Sequence, residues 1–590
     1  MSMSLDCVRP CVCFHPSNDR FSLMSSVWKF VCFCVLLSSS AAVIAGDRLA
    51  EIQKSSIAEG KSEIVHWGNN PEKYTQWRTH SNRLIPVYTY GTLNGGEGVD
   101  LRSYTGMNSV YRSEESLKRI YGRVPEQTVC ESAVWMDQTN IADLQRAAVK
   151  AGKKHIFLVI FDGMDWQTMQ ATAIYNQQAI MYEAGRGSGT FLQRYKAGGT
   201  TQYGYMVTSP HNDGTKVNVN TQTVENPGGV GFGGYNPLAG GFTPWDVPTD
   251  VSYLLGRPTS DVVAHVYTDS ASSATSMTAG VKTFNHAIGV GPSGEKLLTI
   301  AHELQDAGWS VGAVSSVPIS HATPGSAYAH NVSRKDYQDI SRDLLGLPSI
   351  AHPKSPLPGM DVVIGGGYGV SKTKDKNQGE NFEAGNMYLA DSDFEKSSIE
   401  NGGQYVTVQC QDGTSGEFEL MQAAKKAASQ NHRLLGFFGV KIGNGHLPFQ
   451  TANGDFKPVI GNGKKIETYS ENQLKQNPNL SQMTNAALVV LSSRKTSTWL
   501  MVEAGDVDWA NHDNNLDNSI GAVNSGDQAV KAIAEWVEEN SNWNESLMIV
   551  TADHGHMLNL TKPEGLIDTE AVGSSTAAST VEEKKADKAQ

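Results

Sequence analysis

The sequence predicts an α/β protein whose central, mostly parallel sheet is flanked by helices on both faces and interrupted by loop insertions. Short apolar runs alternate with helical patterns between residues 154 and 565, and this alternation is typical of a parallel sheet covered by helices. The runs are continuously apolar, as in strands that are buried on both faces. Hydrophobic residues make up 39% and charged residues 18% of the 590-residue chain, which indicates a globular protein.

The first predicted strand covers residues 155–161, which read His-Ile-Phe-Leu-Val-Ile-Phe and lead into Asp162 and Gly163. Further strands are predicted at residues 262–268, 311–315, 361–364, 498–502 and 547–551. Helical periodicity is clearest at residues 297–307 and 530–537, where apolar residues share one face. Two polar stretches, 205–250 and 365–410, interrupt this order and are predicted to be loop insertions.

The chain divides into four predicted segments. Residues 1–45 read as a signal peptide, in which Lys29 precedes an apolar run and small residues precede Ala45. Met24 is an alternative start that would make residues 1–23 an extra leader. The other predicted segments are an N-terminal arm at 46–153, the catalytic domain at 154–568 and a disordered tail at 569–590.

The leader predicts an exported protein, either periplasmic or secreted. An uncleaved membrane anchor is the alternative, but the apolar run 30–37 is shorter than the ~20 residues of a spanning helix. No stable membrane insertion is therefore expected after cleavage. Outside the leader, Cys130 and Cys410 allow at most one disulfide. The net charge of -13 argues against nucleic acid as a partner.

Acidic residues and histidines stand where the predicted strands end. They are Asp162 after the first strand, Asp269 after the second, Glu503 after the fifth, and Asp553 and His554 after the sixth. Because the carboxyl ends of parallel strands share one edge of a sheet, these side chains are expected to meet. Together they suit divalent metal ions. A single strand-end aspartate often only caps the next helix, but four such positions make that explanation weak.

Ser270 opens a helical run that Gly280 can end. A serine in this position faces free backbone N–H groups and the positive end of the helix dipole, which favour an alkoxide and a bound phosphate. An ordinary serine cap is the alternative and the commoner meaning of this pattern alone. Asp508 and His512, four residues apart, would share one face of a helix and bind one ion.

These segments resemble the alkaline phosphatase family in residue type, spacing and order. The resemblance rests on Phe-Asp-Gly-Met at 161–164, Asp-Ser-Ala within 266–283, His-Ala-Thr-Pro at 321–324, Ala-His-Asn-Val-Ser-Arg at 329–334, the segment 503–512 and Asp-His-Gly-His at 553–556. It implies an alkaline-phosphatase-like fold and hydrolysis of small phosphate monoesters through a phosphoserine on Ser270. Members of the family are commonly homodimers.

The resemblance also implies two zinc ions and one magnesium ion as cofactors. The implied ligands are Asp162, Asp553 and His554 for the zinc beside Ser270, Asp508 and His512 for the second zinc, and Asp162, Thr323 and Glu503 for magnesium, with His321 beside it. Arg334 would bind the phosphate through its planar fork of N–H groups. His321 stands where some members carry aspartate, so the residues leave the magnesium preference open.

Two other functions stay open at this point. One is a different hydrolase of the same superfamily, a phosphodiesterase or a sulfatase, or a metal-dependent mutase. Asp-Ser-Ala at 269–271 argues against a sulfatase, and the implied third ion argues against the two-metal diesterases. The other is a non-catalytic relative that binds phosphate or zinc.

The second zinc site lacks a third protein ligand in the sequence pattern. The family takes this ligand from a histidine well downstream of the segment at 553–556, and no histidine follows His556. A missing C-terminal part, a substitute histidine (His446 or His556) and a weak site are three explanations. Zinc in catalytic sites usually has three protein ligands, so we expect the ion at Asp508 and His512 to be the more loosely held.

Overall fold

The structure is a computed structural model that describes residues 47–75, 77–256, 265–441, 444–462 and 466–568. The predicted signal peptide and the predicted tail lie outside the described residues. The described residues belong to one compact unit. Among them, no helix has the length and apolar character needed to cross a membrane.

The strands, in chain order, are β1 Val65–Trp67, β2 Ile85–Tyr90, β3 Met136–Asp137, β4 His155–Phe161, β5 Gln202–Val207, β6 Asn212–Asp213, β7 Val217–Asn218, β8 Thr223–Val224, β9 Gly231–Phe232, β10 Ser310–Pro318, β11 Val362–Gly366, β12 Ser371–Lys372, β13 Gly385–Asn386, β14 Tyr405–Gln409, β15 Arg433–Phe437, β16 Thr498–Ala504, β17 Ser546–Thr551 and β18 Leu558–Leu560.

The α-helices are α1 Arg48–Glu59, α2 Glu114–Tyr121, α3 Asn140–Lys150, α4 Trp166–Gln177, α5 Phe191–Arg194, α6 Pro237–Gly240, α7 Val251–Leu254, α8 Ser270–Ala279, α9 Ile300–Asp306, α10 Ala322–Ser326, α11 Tyr337–Leu345, α12 Asp391–Ser397, α13 Gly416–Gln430, α14 Glu471–Lys475, α15 Leu480–Ser493, α16 Asp506–His512 and α17 Leu516–Asn540.

A 10-stranded sheet forms the centre of the molecule, in the order β14-β15-β11-β10-β16-β4-β17-β2-β5-β3. Neighbouring strands run parallel from β14 to β17. Strand β2 is antiparallel to both of its neighbours, β17 and β5. The predicted mostly parallel sheet is therefore confirmed, with one reversed strand beside β17.

Helices cover both faces of this sheet, as predicted. Trp499 of β16 pairs with Ile156 of β4, and its indole donates a hydrogen bond to Gln145 of α3. The next residue of β4, Phe157, points to the opposite face because side chains alternate along a strand. It packs against Trp536 of α17. The strands between these helices are almost completely buried, which explains their continuous apolar sequence.

Five of the predicted strands appear as β4, β10, β11, β16 and β17. The strand predicted at 262–268 is wrong over residues 265–268, which have no regular structure, and its remainder lies outside the described residues. This segment lies beside the short strand β9, where the backbone N–H of Val266 donates to the carbonyl of Phe232 at 3.0 Å, and it then leads into α8.

The predicted loop insertions contain short two-stranded ladders, β6 with β9, β7 with β8, and β12 with β13. Each predicted insertion also overlaps a strand of the large sheet, β5 in the first and β14 at the end of the second. Cys130 and Cys410 are both free.

Residues 47–153, predicted to be an arm apart from the catalytic domain, supply β2 and β3 to the large sheet. Helix α3 of the same segment covers one face of the sheet, and β1 pairs with β18 at the other end of the described chain. Every residue of β2 is buried. This segment is therefore an integral part of the sheet and of its core.

Candidate metal and phosphate site

The predicted ligands meet at the carboxyl edge of three adjacent strands, β16, β4 and β17. Glu503 is close to the end of β16, Asp162 follows β4, and Asp553 and His554 follow β17. These four side chains are completely buried. The parallel direction of the three strands brings their ends to one place, as expected from the sequence.

Ser270 is the first residue of α8, which ends at Gly280 with a left-handed φ of 77°. Asp269 caps this helix, since its carboxylate accepts a hydrogen bond from the backbone N–H of Ser272 at 3.1 Å. The hydroxyl Oγ of Ser270 is 3.3 Å from His554 Nε2 and 3.4 Å from Asp162 Oδ1. The serine therefore faces the metal-ligand residues and also lies at the positive end of a helix.

Asp162, Asp553 and His554 form a compact group whose ligand atoms all lie within 4.8 Å of one another. His554 Nε2 is 3.4 Å from Asp162 Oδ1 and also 3.4 Å from Asp553 Oδ2. Asp162 Oδ2 and Asp553 Oδ2 are buried and have no hydrogen-bond donor among the described residues. Buried polar atoms normally have partners, so this mixed oxygen and nitrogen donor set fits a zinc ion.

The buried carboxylates repel one another strongly. Burial and the charges of Asp553, Asp508 and Glu503 raise the pKa of Asp162 well above its ordinary value. Burial also raises the pKa of Asp553 to about 6 and that of Glu503 to about 7. A bound cation would reverse these shifts, because a nearby positive charge favours the ionised form.

A second group consists of Asp508 and His512 in α16 together with His80 and His556. Asp508 Oδ1 is 3.4 Å from His512 Nε2, 3.5 Å from His80 Nε2 and 2.6 Å from His556 Nε2. The ring of His80 also stacks on that of His554, with centroids 3.6 Å apart. His80 was not among the ligands predicted from the sequence, because it lies in the segment interpreted as an N-terminal arm.

In His80 and His512, the ring nitrogen Nδ1 is hydrogen-bonded to a backbone carbonyl, which leaves Nε2 directed toward Asp508. His80 Nδ1 is 2.9 Å from the carbonyl oxygen of Thr268, and His512 Nδ1 contacts the carbonyl oxygen of Arg78. A carbonyl only accepts, so Nδ1 carries the proton in both rings and Nε2 presents a lone pair to the site. Burial lowers the pKa of His80, but hydrogen bonds to Asp508 and to the carbonyl of Thr268, together with the charges of Asp508 and Asp553, outweigh burial and raise this pKa.

His556 has a different geometry. Its Nε2 lies at hydrogen-bonding distance from Asp508 Oδ1, and burial lowers its pKa to about 4. A neutral ring in this position donates Nε2–H to the carboxylate and orients it, and that leaves no lone pair on Nε2. His446, the other histidine considered from the sequence, lies 3.2 Å from Glu467 and is not part of the group.

Gly163 leaves the space in which Asp508 of α16 and His556, which follows β17, lie close together. It has a left-handed φ of 76°, and a Cβ atom there would lie 2.7 Å from His556 Cδ2 and 3.1 Å from the Cα of Asp508. Its backbone N–H donates to Asp553 Oδ1 at 2.9 Å. Glycine is therefore required both by the conformation and by the space between the two groups.

Arg334 lies beside the nucleophile segment, with Nη1 2.9 Å from Asp269 Oδ2. Burial would raise the pKa of Asp269, but the charges of Arg334 and His286 outweigh it and hold this pKa below its ordinary range. The pair thus fixes the guanidinium next to Ser270. The other N–H groups of the fork suit the oxygens of a phosphate.

The residues predicted for magnesium surround Glu503. Ser315 donates a hydrogen bond to Glu503 Oε2, and Thr323 lies beside the same carboxylate and, like Ser315, lowers its pKa. Glu503 in turn raises the pKa of Asp162. His321 directly precedes α10 and contacts Trp509 edge-on, with ring centroids 5.6 Å apart. Oxygen donors from Asp162, Thr323 and Glu503 match the preference of magnesium.

The sequence profile of the alkaline phosphatase family matches residues 249–587, more than half of the chain. The chain belongs to the alkaline phosphatase family. The matched part includes Ser270, Arg334 and both ligands in α16, whereas Asp162 and His80 lie before it.

Alkaline phosphatase 4 of Bacillus subtilis is 30% identical to this family member over 287 residues, 49% of each chain. Alkaline phosphatase of Escherichia coli K12 is 30% identical over 351 residues, which cover 58% of this chain and 67% of that protein. The chain thus spans about half the length of the Bacillus relative. The solved alkaline phosphatase of the Antarctic bacterium TAB5 is 20% identical, with 68% of this chain and 80% of that one covered and a TM-score of 0.39.

Proposed function

We propose that this alkaline phosphatase family member hydrolyses small phosphate monoesters through a phosphoserine on Ser270. The observation that carries the proposal is the position of the Ser270 hydroxyl. It begins α8 and lies 3.3 Å from His554 and 3.4 Å from Asp162, two members of a buried metal-ligand group. A serine that only capped the helix would have no reason to face such a group.

Three ion sites fit the donor atoms present. Asp162, Asp553 and His554 would hold the zinc beside Ser270. Asp508, His512 and His80 would hold the second zinc. The oxygen donors Asp162, Thr323 and Glu503 would hold magnesium. When bound, such ions supply Lewis acidity that favours a deprotonated nucleophile and neutralises charge on the phosphate and the leaving oxygen.

The residues of the chain would then act as follows. Ser270 Oγ loses its proton to solvent and attacks phosphorus, the bond from phosphorus to the leaving oxygen breaks as the phosphoserine forms, and the leaving oxygen takes up a proton from solvent to become the alcohol. The free N–H groups at the start of α8 and the Arg334 guanidinium bind the equatorial oxygens, where negative charge is spread during phosphoryl transfer. Water then cleaves the phosphoserine, which releases phosphate and restores Ser270.

A variant pair tests the nucleophile. Ser270→Ala should lose most activity and all covalent phosphate, whereas Ser276→Ala, which removes a hydroxyl bonded to its own helix at 2.8 Å, should keep both. Acid-quenched protein is digested and its phosphopeptides are mapped by mass spectrometry. Phosphate on a residue other than Ser270 would contradict the proposal. Rates on aryl phosphate, aryl sulfate and aryl phosphodiester substrates separate a monoesterase from the other hydrolases of the superfamily.

We also propose that the protein is exported, to the periplasm or the medium. The support is the arrangement of Lys29, the apolar run 30–37 and the small residues before Ala45. Amino-terminal sequencing of the protein from its native source should give a start close to Gly46. A mature protein that still begins at Met1 or Met24 would refute cleavage.

A further inference from the structure

His330, Asp343 and His352 form a third compact group, separate from the ligands described above. Their possible ligand atoms lie within 4.8 Å of one another. Asp343 belongs to α11, His330 precedes this helix, and His352 follows it. His330 and Asp343 are buried, whereas the side chain of His352 keeps 12% of its surface exposed. The group therefore joins the two segments that flank α11 and can be reached from solvent.

The protonation of His330 follows from its surroundings. Its Nε2 is 2.7 Å from the carbonyl oxygen of Leu297. A carbonyl oxygen only accepts, so Nε2 carries the ring proton and Nδ1 of the neutral ring presents a lone pair. That lone pair faces His352 Nε2 at 2.9 Å.

His352 lies on the other side of the same space, with Nε2 2.9 Å from His330 Nδ1. Burial and the charge of Lys296 lower the pKa of His352 to about 4, so its ring is neutral near pH 7 and one of its nitrogens carries a lone pair. When Nε2 carries that lone pair, the two facing nitrogens can ligate one cation. His330 has its second nitrogen bonded to a backbone carbonyl, as metal-binding histidines commonly do.

Asp343 supplies an oriented carboxylate to the same place. Its Oδ2 accepts a hydrogen bond from the backbone N–H of His330 at 2.9 Å, and its Oδ1 accepts one from Ser349 Oγ at 2.5 Å. Oδ2 is 3.9 Å from His352 Nε2. Donor atoms around a tetrahedral zinc ion are about 3.3 Å apart, given bond lengths of ~2.0–2.1 Å. The two distances from His352 Nε2, 2.9 Å to His330 Nδ1 and 3.9 Å to Asp343 Oδ2, each differ from this value by roughly half an ångström.

We propose that His330 Nδ1, His352 Nε2 and Asp343 Oδ2 bind one transition-metal ion of the zinc class, with solvent completing the coordination. Two imidazoles and one carboxylate favour zinc or cobalt over magnesium or calcium, which prefer oxygen. The ammonium of Lys296 donates to the carbonyl of Ala351, next to His352. Burial, with a further contribution from the charge of Lys296, lowers the pKa of both histidines, so both rings are neutral and able to ligate an ion. The ion would fasten the loop after α11 to the segment before it.

The test counts metal ions in the full-length protein in which both catalytic zinc sites are disrupted by His80→Ala, His512→Ala and Asp553→Ala. This background should still bind one zinc per chain in equilibrium dialysis, read by mass spectrometry of the metal. Adding His352→Ala should weaken that binding by at least about 100-fold, whereas adding His432→Ala, a histidine outside every candidate group, should leave it unchanged. Cobalt should compete for the site, and magnesium should not.

His352→Gln provides a second variant that keeps a polar side chain in the loop, and circular dichroism confirms that each variant is folded. Equal zinc binding with and without His352 would overturn the proposal, as would the absence of any zinc in the background protein at about 10 µM free zinc, ~100-fold above a 0.1 µM Kd. The result does not depend on phosphatase activity, so a failure of the proposed function would leave this test intact.

Discussion

His80→Ala is the substitution that separates the structural assignment of the second zinc site from the sequence-based one. His80 presents Nε2 to the site because its Nδ1–H is bonded to the carbonyl of Thr268 at 2.9 Å. Without this ring, Asp508 and His512 remain as ligands. His556 cannot replace it without giving up its 2.6 Å hydrogen bond to Asp508. A site with three protein ligands would thus fall to two.

The expected cost follows from this loss. Changing even a residue that only orients a metal ligand weakens binding by about 10- to 100-fold, so removing a ligand should weaken it by at least ~100-fold, or about 2.7 kcal/mol. The zinc at Asp162, Asp553 and His554 keeps all its ligands and should be much less affected. The stacking of His80 on His554 is also lost, which allows a small decrease in its affinity.

The assay titrates a coloured chelator against the zinc-loaded protein while activity is followed. The unmodified protein should release both zinc ions over a similar range of chelator, since the structure offers Asp508, His512 and His80 as three possible protein ligands at the second site. His80→Ala should release one ion at about 100-fold lower chelator strength, with activity lost in step and restored by added zinc. His446→Ala is the matched control and should behave like the unmodified protein.

Two results would refute this reasoning. If His80→Ala holds both ions as tightly as the unmodified protein, His80 is not a ligand. If His556→Ala loses one ion completely while His80→Ala does not, the two histidines have exchanged roles. His556→Ala is otherwise expected to weaken zinc by no more than about 10- to 100-fold, because it only orients Asp508.

Two further substitutions test other parts of the site. Arg334→Ala should raise both KM and the phosphate inhibition constant and lower kcat. Because the change removes one charged hydrogen-bonding group, kcat/KM should fall by about 10- to 100-fold. An unchanged phosphate inhibition constant would show that Arg334 does not bind the phosphate. Gly163→Ala should lower both stability and zinc retention, because its Cβ would meet His556 at 2.7 Å. Gly152→Ala is the control, because Gly152 has a φ of 89° and a Cβ atom there would have no atom within 4 Å. It has the same conformational cost of ~1 kcal/mol and should keep its zinc. Equal zinc loss in the two variants would show that the contact between residue 163 and His556 is unimportant.

The parts of the fold that the sequence predicted are those with a local signal. A run such as residues 155–161 is continuously apolar because it is buried on both faces of the sheet, and that property can be read without knowing its neighbours. The strand predicted at 262–268 was wrong over residues 265–268 because an apolar run alone does not identify a strand. Apolar residues also occur in irregular segments that pack against a core, and only the order of the strands shows that residues 265–268 stay outside the large sheet.

The role of His80 could not be predicted from the order of the elements along the chain. Asp162, Glu503 and Asp553 were predicted as ligands because they stand at the carboxyl ends of parallel strands. Strand β2 is antiparallel to β17, with Val87 opposite Thr551, so it is the amino end of β2 that lies at the same edge of the sheet. A residue that precedes such a strand therefore reaches the site as readily as one that follows a parallel strand.

His80 meets this condition, because it stands five residues before Ile85, where β2 begins. The resemblance to the family predicted that the third ligand would lie downstream of His556. The geometry of the site requires only a histidine beside the end of β17, and here the segment before β2, the strand paired with β17, supplies it. The apolar stretch Ile-Pro-Val-Tyr-Thr-Tyr at 85–90 and the histidine before it were visible in the sequence. Their direction and their partner strand were not, because pairing between strands more than 400 positions apart leaves no local pattern.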